Sequence, residues 1–524
     1  MRRLAVLALL AALVLAPLSA TPVAAAGADA SPPPDPAGDR LGWEAGYWHN
    51  ESIDVTPEDG LNDTELDTVV ARSMARVEYV RDIEFERQVP VEVVSREAYA
   101  ENVSEQYSNT STGDRLHQNV KYEALFMRSE NHSTVDSQEQ TTAASVGGYY
   151  DPGEDRIVVV SENESAPQMN EITLAQELFH ALQYRHFPVQ NYSMTTREAH
   201  NAHDGIIEGD GNYVDYLYEQ RCGDVWNGTC LRPSGGGSSG GGSGGTPHVG
   251  MLYLRYQPYS DGPAFVQAIR EEGGWDAVDA VYENPPESTE QTIHPEKYGV
   301  DSPTNVSVPD RSTADWYKPE TGGVRYASFG EAGLFMMLWY PGYESRLATQ
   351  IVPYRSFLNF APGESAPAID PFNYSANYSA GWDGDRLVPY ATNDSAATNE
   401  TGYVWKLVWD SPAEASEFAN GYRRLLAYHG AEQVGGQTWQ IPDGGFADAF
   451  HLNVTGDTVV ITNAPTVDDL SAVRESVTVN KSAVQTTGTE ATGTPASSPG
   501  VPGFSVGAVL LAATLAAAAG WRRR

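Results

Sequence analysis

The segment Glu171-Ile-Thr-Leu-Ala-Gln-Glu-Leu-Phe-His-Ala-Leu-Gln183 constrains this chain more than any other. Wound as a helix, it places Leu174, Leu178, Ala181 and Leu182 on one apolar stripe that asks for a partner to cover it. Gln176 and His180 then fall one turn apart on the other side, with Glu177 beside them. The chain has ample material to bury such a helix: 524 residues, 41% of them hydrophobic, with 11 Trp and 28 Tyr. That length allows two to four domains, and the aromatic content excludes an acidic disordered chain. With 70 acidic and 33 basic side chains, the formal charge is −37. So negative a surface repels phosphates and excludes nucleic acid as a partner. It suits a protein kept soluble in concentrated salt, where screening suppresses self-repulsion. Only five of the basic residues are lysines: Lys121, Lys297, Lys318, Lys406 and Lys481.

The polar side of the helix has the layout of H-E-x-x-H, in which two histidines a turn apart bind zinc and the glutamate serves as general base. A downstream helix should supply the third ligand. Ile206-Ile207-Glu208-Gly209-Asp210 fits, with Glu208 28 residues after His180. The first histidine, however, is Gln176. A neutral amide oxygen is a hard, weak ligand better suited to calcium than to zinc, so His180 and Glu208 alone should bind zinc far less tightly. His200 lies about 12 Å along a helix axis from Glu208, and His203 and His186 fall on other faces. Asp204, one turn before Glu208, is the best-placed surrogate, but it makes the site carboxylate-rich. A broken second helix, which Gly205, Gly209 and Gly211 allow, is the other route to a third ligand.

The two ends read as targeting signals. Met1-Arg2-Arg3, an apolar run and Ala24-Ala25-Ala26 make residues 1–26 a secretory signal peptide. Residues 27–40 are a linker. At the other end a Thr/Ser-rich spacer over 466–501 leads to Pro502-Gly503-Phe504, an apolar run and Trp521-Arg522-Arg523-Arg524, so 502–524 reads as a sorting signal with a transmembrane segment. Fifteen Asn-x-Ser/Thr sequons suggest a glycosylated ectodomain served by an N-glycosylation machinery. Cys222 and Cys230, eight apart and outside the cell, are expected to form a local disulfide. Next to them, 233–247 is a flexible Gly/Ser insertion. Helices are expected over Thr64 to Arg81, capped by Asn62 or Thr64, and over Pro263 to Glu272, Gly274 to Glu283 and 329–339. Strands are expected over Val89 to Ser95 and Arg156 to Val160. Residues 301–401 read as a connecting region. Residues 402–465 read as a small lobe in which one helix, Pro412 to Tyr428, follows the strand Tyr403 to Trp409 and precedes three more strands.

Three resemblances add to this reading. The tail resembles the PGF-type sorting signals of archaeal surface proteins, which implies processing by an archaeosortase and a membrane or lipid anchor. Gly42-Trp-Glu-Ala-Gly-Tyr-Trp48 and Val70-Ala-Arg-Ser-Met-Ala-Arg76 resemble the haloarchaeal Hvo_1808 family of surface proteins. Residues Gln176 to Gln183, Glu208 to Asp210 and Ser288-Thr-Glu-Gln-Thr-Ile-His-Pro-Glu-Lys-Tyr298 are similar to three ordered strings of secreted zincin-like (gluzincin) peptidases. That similarity implies a zincin-like domain over 41–300, with Glu177 as base and His180 and Glu208 as surviving metal ligands. His294 receives no role.

The expected fold class is therefore α+β: a mainly helical zincin-like domain with a small sheet, followed by a small α/β C-terminal lobe. The expected function is that of an exported, anchored cell-surface glycoprotein whose peptidase-like site is degenerate and which acts by binding or envelope maintenance. The rival is a zinc peptidase working through Glu177. A structural calcium site is the third reading.

Overall fold

The computed structural model describes residues 33–475, apart from 224, 229 and 233–247, together with residue 477. The signal peptide, the Gly/Ser insertion and the sorting signal expected from sequence lie outside the described residues. Among those described, no helix is long and apolar enough to cross a membrane.

The fold is α+β. A two-strand hairpin, β1 (Trp43–Glu44) and β2 (Tyr47–Trp48), leads into α1 (Asp63–Arg81). Asn62 caps α1: its side chain accepts from the Thr64 and Glu65 N–H groups while the Glu65 carboxylate accepts from the Asn62 N–H. Then come β3 (Val91–Ser95), α2 (Arg96–Ser108), α3 (Thr112–Ala124), α4 (Thr134–Ser145), β4 (Gly148–Asp151) and β5 (Arg156–Ser161). The three strands form one sheet in the order β3-β5-β4, with β3 parallel and β4 antiparallel to β5.

The helical half is completed by α5 (Glu171–His186), α6 (Arg197–Glu219), α7 (Val249–Glu283), α8 (Thr289–Ile293) and α9 (Gly330–Glu344). The α7 run breaks at Gly273-Gly274, where Gly274 has φ +72°, so it is two helices meeting at the glycine pair. The C-terminal half holds β6 (Trp382–Ala391), α10 (Ser395–Thr398), β7 (Thr401–Trp409), α11 (Pro412–Tyr428), β8 (Glu432–Gly435), β9 (Thr438–Gln440), β10 (Ala449–Thr455), β11 (Thr458–Ala464) and α12 (Leu470–Val473). Its six-strand antiparallel sheet has the order β6-β7-β11-β10-β9-β8. This sheet starts before residue 402, at Trp382, and Leu470, Val473 and Val477 pack beneath it beyond residue 465.

Two cores matter for the site. One, under α1, α5 and the small sheet, is built from Met74, Val77, Ile157, Leu178 and Leu182. The other surrounds α9, whose Leu334 to Leu338 are all fully buried, as befits a helix apolar all round. Asp385 on β6 anchors the start of α9. It accepts from the Phe329 and Gly330 N–H groups, from Ser328 Oγ and from Trp405 Nε1, at 2.7–3.2 Å.

α6 is unbroken in spite of its three glycines. They serve close packing instead. A Cβ on Gly209 would stand 2.6 Å from the Gly262 carbonyl carbon of α7, so the two backbones touch. Gly209→Ala is expected to destabilise the protein by about 1–3 kcal/mol through overpacking, although alanine is the better helix former. Denaturant unfolding of the variant in high salt measures this.

Candidate functional site

α5 lies against α1, α6 and β4. Its apolar stripe is buried completely, and Gln176 and Glu177 are buried as well at 4% and 3% exposure. Gly211 lets α6 approach this face: a Cβ there would meet His180 Cε1 at 3.4 Å, with Phe179 and Gln176 next. The close approach brings Glu208 to His180, with His180 Nε2 3.5 Å from Glu208 Oε2.

The orientation of His180 is set from behind. Gln183 Nε2 donates to the Ile207 carbonyl at 2.7 Å and to the Tyr282 hydroxyl at 2.6 Å, which leaves Gln183 Oε1 to accept from His180 Nδ1 at 2.7 Å. The Tyr282 hydroxyl in turn donates to Asp210 at 2.8 Å, and Asp210 is held by Arg81 at 3.0 Å. Nδ1–H is thereby committed, and Nε2 is the nitrogen aimed at Glu208. Burial pulls the imidazole pKa down, but Glu208 and Glu177 outweigh it and raise it to about 10. The contact is one of charge and not a hydrogen bond: at 3.5 Å, the buried Glu208 Oε2 has no hydrogen-bond partner.

Glu177 accepts from the Tyr150 N–H of β4 at 2.8 Å through one oxygen, and its buried Oε1 makes no hydrogen bond. Burial is the main cause of a pKa raised to about 7, with Glu208 adding to it and His180 and the Tyr150 N–H opposing. Two further groups join the site. Asp215, two turns beyond Glu208, is pushed well above the usual carboxylate range by burial and by the neighbouring acids Glu177, Glu219 and Glu208, against His180. The Tyr259 phenol of α7 is pushed up by burial and by Glu208, Asp204 and Glu177.

A zinc site needs three protein ligands and an open position. The 3.5 Å between His180 Nε2 and Glu208 Oε2 would suit two ligands of one ion, but among the described residues no third His, Cys or acidic ligand atom lies close enough to both to share it. Gln176 offers an amide, and its Nε2 is buried without a hydrogen bond. Asp204 pairs with His200 at 3.1 Å, and the exposed His186 Nε2 lies against the Glu84 carbonyl. With α6 continuous, no break brings His200 or His203 round. The donor set does not fit zinc. Among the described residues, the group of acidic, His and Cys ligand atoms close enough to share an ion is Glu290, Asp301 and Asp410. There the Lys297 ammonium already sits 2.6, 2.9 and 3.3 Å from the three carboxylates.

The third sequence string does not enter the cleft. His294 pairs with the fully buried Glu331 at 3.0 Å, and Thr289 donates through its N–H and its hydroxyl to Glu198 at 2.6 and 2.9 Å. These contacts tie α8 to α9 and α6. Cys222 and Cys230 are joined by a disulfide just after α6. Sequence reasoning missed Tyr259, Tyr282, Arg81 and Asp215. Gln183 and Asp210 stood inside the quoted strings without a role, whereas the two tyrosines sit on a distant helix with no local signal.

Comparison with known proteins adds one match: a family described as a domain of unknown function, DUF8575, covers residues 318–474. That stretch holds α9 and the six-strand sheet and leaves the cleft outside. No curated protein and no solved structure matches the chain.

The raised Glu177 carboxyl has a definite linkage sign. Between its ordinary value of 4.5 and about 7, the folded chain keeps a proton that the unfolded chain has lost. The stability it contributes is full below 4.5 and falls as pH rises through that window. Glu177→Gln is expected to flatten the fall and to exceed wild type above pH 7 by on the order of 3 kcal/mol. Denaturant midpoints measured from pH 4 to 8 test it.

Proposed function

We propose that this chain is an exported, membrane-anchored cell-surface glycoprotein whose metallopeptidase-like Gln-Glu-x-x-His site is degenerate, and that it acts by binding or in envelope maintenance. The observation that carries this reading is the His180–Glu208 pair, braced through Gln183, with an amide at Gln176 where a second imidazole would be needed. Such a donor set leaves the buried carboxyl of Glu177 beside too few ligands to hold the Lewis acid that polarises a scissile bond in a metallopeptidase. Export and anchoring rest on the two terminal signals and the density of sequons.

Restoring the missing imidazole tests the reading. Calorimetric titration of the ectodomain with zinc is expected to show weak binding in wild type and a gain of ~100-fold or more, about 3 kcal/mol, in Gln176→His. Tight binding by wild type, accompanied by Glu177-dependent cleavage of an unstructured protein substrate, favours the zinc peptidase instead.

A further inference from the structure

A second polar cluster, of opposite sign, lies elsewhere on α6. Lys121 of α3, Arg197 in the first turn of α6 and Arg255 of α7 all act on the phenol of Tyr122: Lys121 Nζ lies 6.0 Å from its ring centroid, and Asn201, which accepts from Arg197, donates at 2.7 Å to the carbonyl of Leu254, the neighbour of Arg255. Lys121 is 9% exposed and Tyr122 1%. Arg197 and Arg255 are half-buried, so the cluster has a way out to solvent.

What marks it is the lack of counter-charge. This chain has more than twice as many acidic as basic side chains. Yet among the described residues none of the three cations has a carboxylate within ion-pair distance, whereas Lys297 has three. Lys121 Nζ reaches only the Gln118 amide at 3.3 Å, and Arg197 reaches Asn201 at 3.2 Å. The Nε atoms of Arg197 and Arg255 are buried with no acceptor. Asp204 acts on Arg197 from a distance, but its Oδ2 is taken by His200. Even a fully ionised Tyr122 would leave two of the three positive charges uncompensated. Burial pushes the Tyr122 phenol up, but Arg255, Arg197 and Lys121 together bring it down to about 7. Burial and the two arginines lower Lys121 to about 8. Buried cations without partners are costly, and an anion among these three would lift that cost.

We propose that Lys121, Tyr122, Arg197 and Arg255 form an oxyanion-binding site that receives a carboxylate or phosphate group of a ligand. Two guanidinium forks supply paired N–H donors matched to such oxygens, the ammonium adds a point charge, and the phenol adds a hydroxyl donor. Arg197 and Glu208 share α6, eleven residues or ~16 Å apart along its axis. The site does not depend on whether His180 and Glu208 hold a metal.

The ectodomain, at constant chloride and ionic strength, is titrated calorimetrically with inorganic phosphate and, separately, with triglutamate peptide. Saturable binding of either is expected, weakened at least ~10-fold in Arg197→Gln/Arg255→Gln. The tighter of the two probes tells a phosphorylated ligand from a carboxylate ligand. Because the double variant relieves repulsion, its thermal midpoint without added oxyanion is expected to equal or exceed that of wild type. Failure of both probes to bind, or binding unchanged in the double variant, overturns the proposal. Should the double variant fail to fold, wild type alone decides, since an occupied site must raise its thermal midpoint in phosphate or triglutamate and an unmoved midpoint in both refutes it.

Discussion

The hydrogen-bonded chain from Arg81 through Asp210, Tyr282 and Gln183 to His180 is what the cleft depends on. It ties four helices, α1, α6, α7 and α5, with side chains buried or nearly so. Arg81 is covered by Trp275, 4.3 Å from ring centroid to guanidinium, and also pairs with Asp279. Loss of one partner from such a buried pair leaves an uncompensated charge and costs about 3–5 kcal/mol. The same chain commits His180 Nδ1, so the chemistry at Nε2 follows from packing several residues away. In metal sites such a second layer of hydrogen bonds orients a ligating histidine. Here it orients a histidine whose partner is a carboxylate.

The site therefore gathers one histidine and several acids where α5 and α6 face each other. One imidazolium faces Glu208, with Glu177, Asp204 and Asp215 close by. Because His180 stays protonated and Glu177 and Asp215 are pushed towards their neutral forms, the buried group avoids holding several like charges in a low-dielectric space. The cationic cluster around Tyr122 is the counterpart on the same helix. Together they make α6 a polar spine, anion-attracting near Arg197 and acidic from Asp204 onward.

Much of this could be read from the residues, because local patterns carried it. The stripe on α5, Asn62 as one of two candidate caps of α1, the limits of α11 and the glycine break after Glu272 are all written in short-range spacing. Glu177, His180 and Glu208 come together because their helices follow one another in sequence and face each other. The misses have physical reasons. α2 buries little beyond Tyr99 and Val103, so it shows no stripe. β6 carries Gly384 at a bulge and Pro389 within it, signals that argue against a strand. The glycines of α6 looked like helix breakers, whereas Gly209 and Gly211 admit Gly262 and His180. Tyr259 and Tyr282 reach the cleft from α7, and long-range contacts of that kind leave no local pattern.

The central proposal is that His180 and Glu208, with Gln176 in place of a second imidazole, do not make a tight transition-metal site. Elemental mass spectrometry of the ectodomain purified in high salt without chelator tests it most directly. The account predicts transition metal well below one equivalent per chain, unaltered by His180→Ala. About one tightly held zinc or other transition-metal ion per chain, lost in His180→Ala, would contradict it.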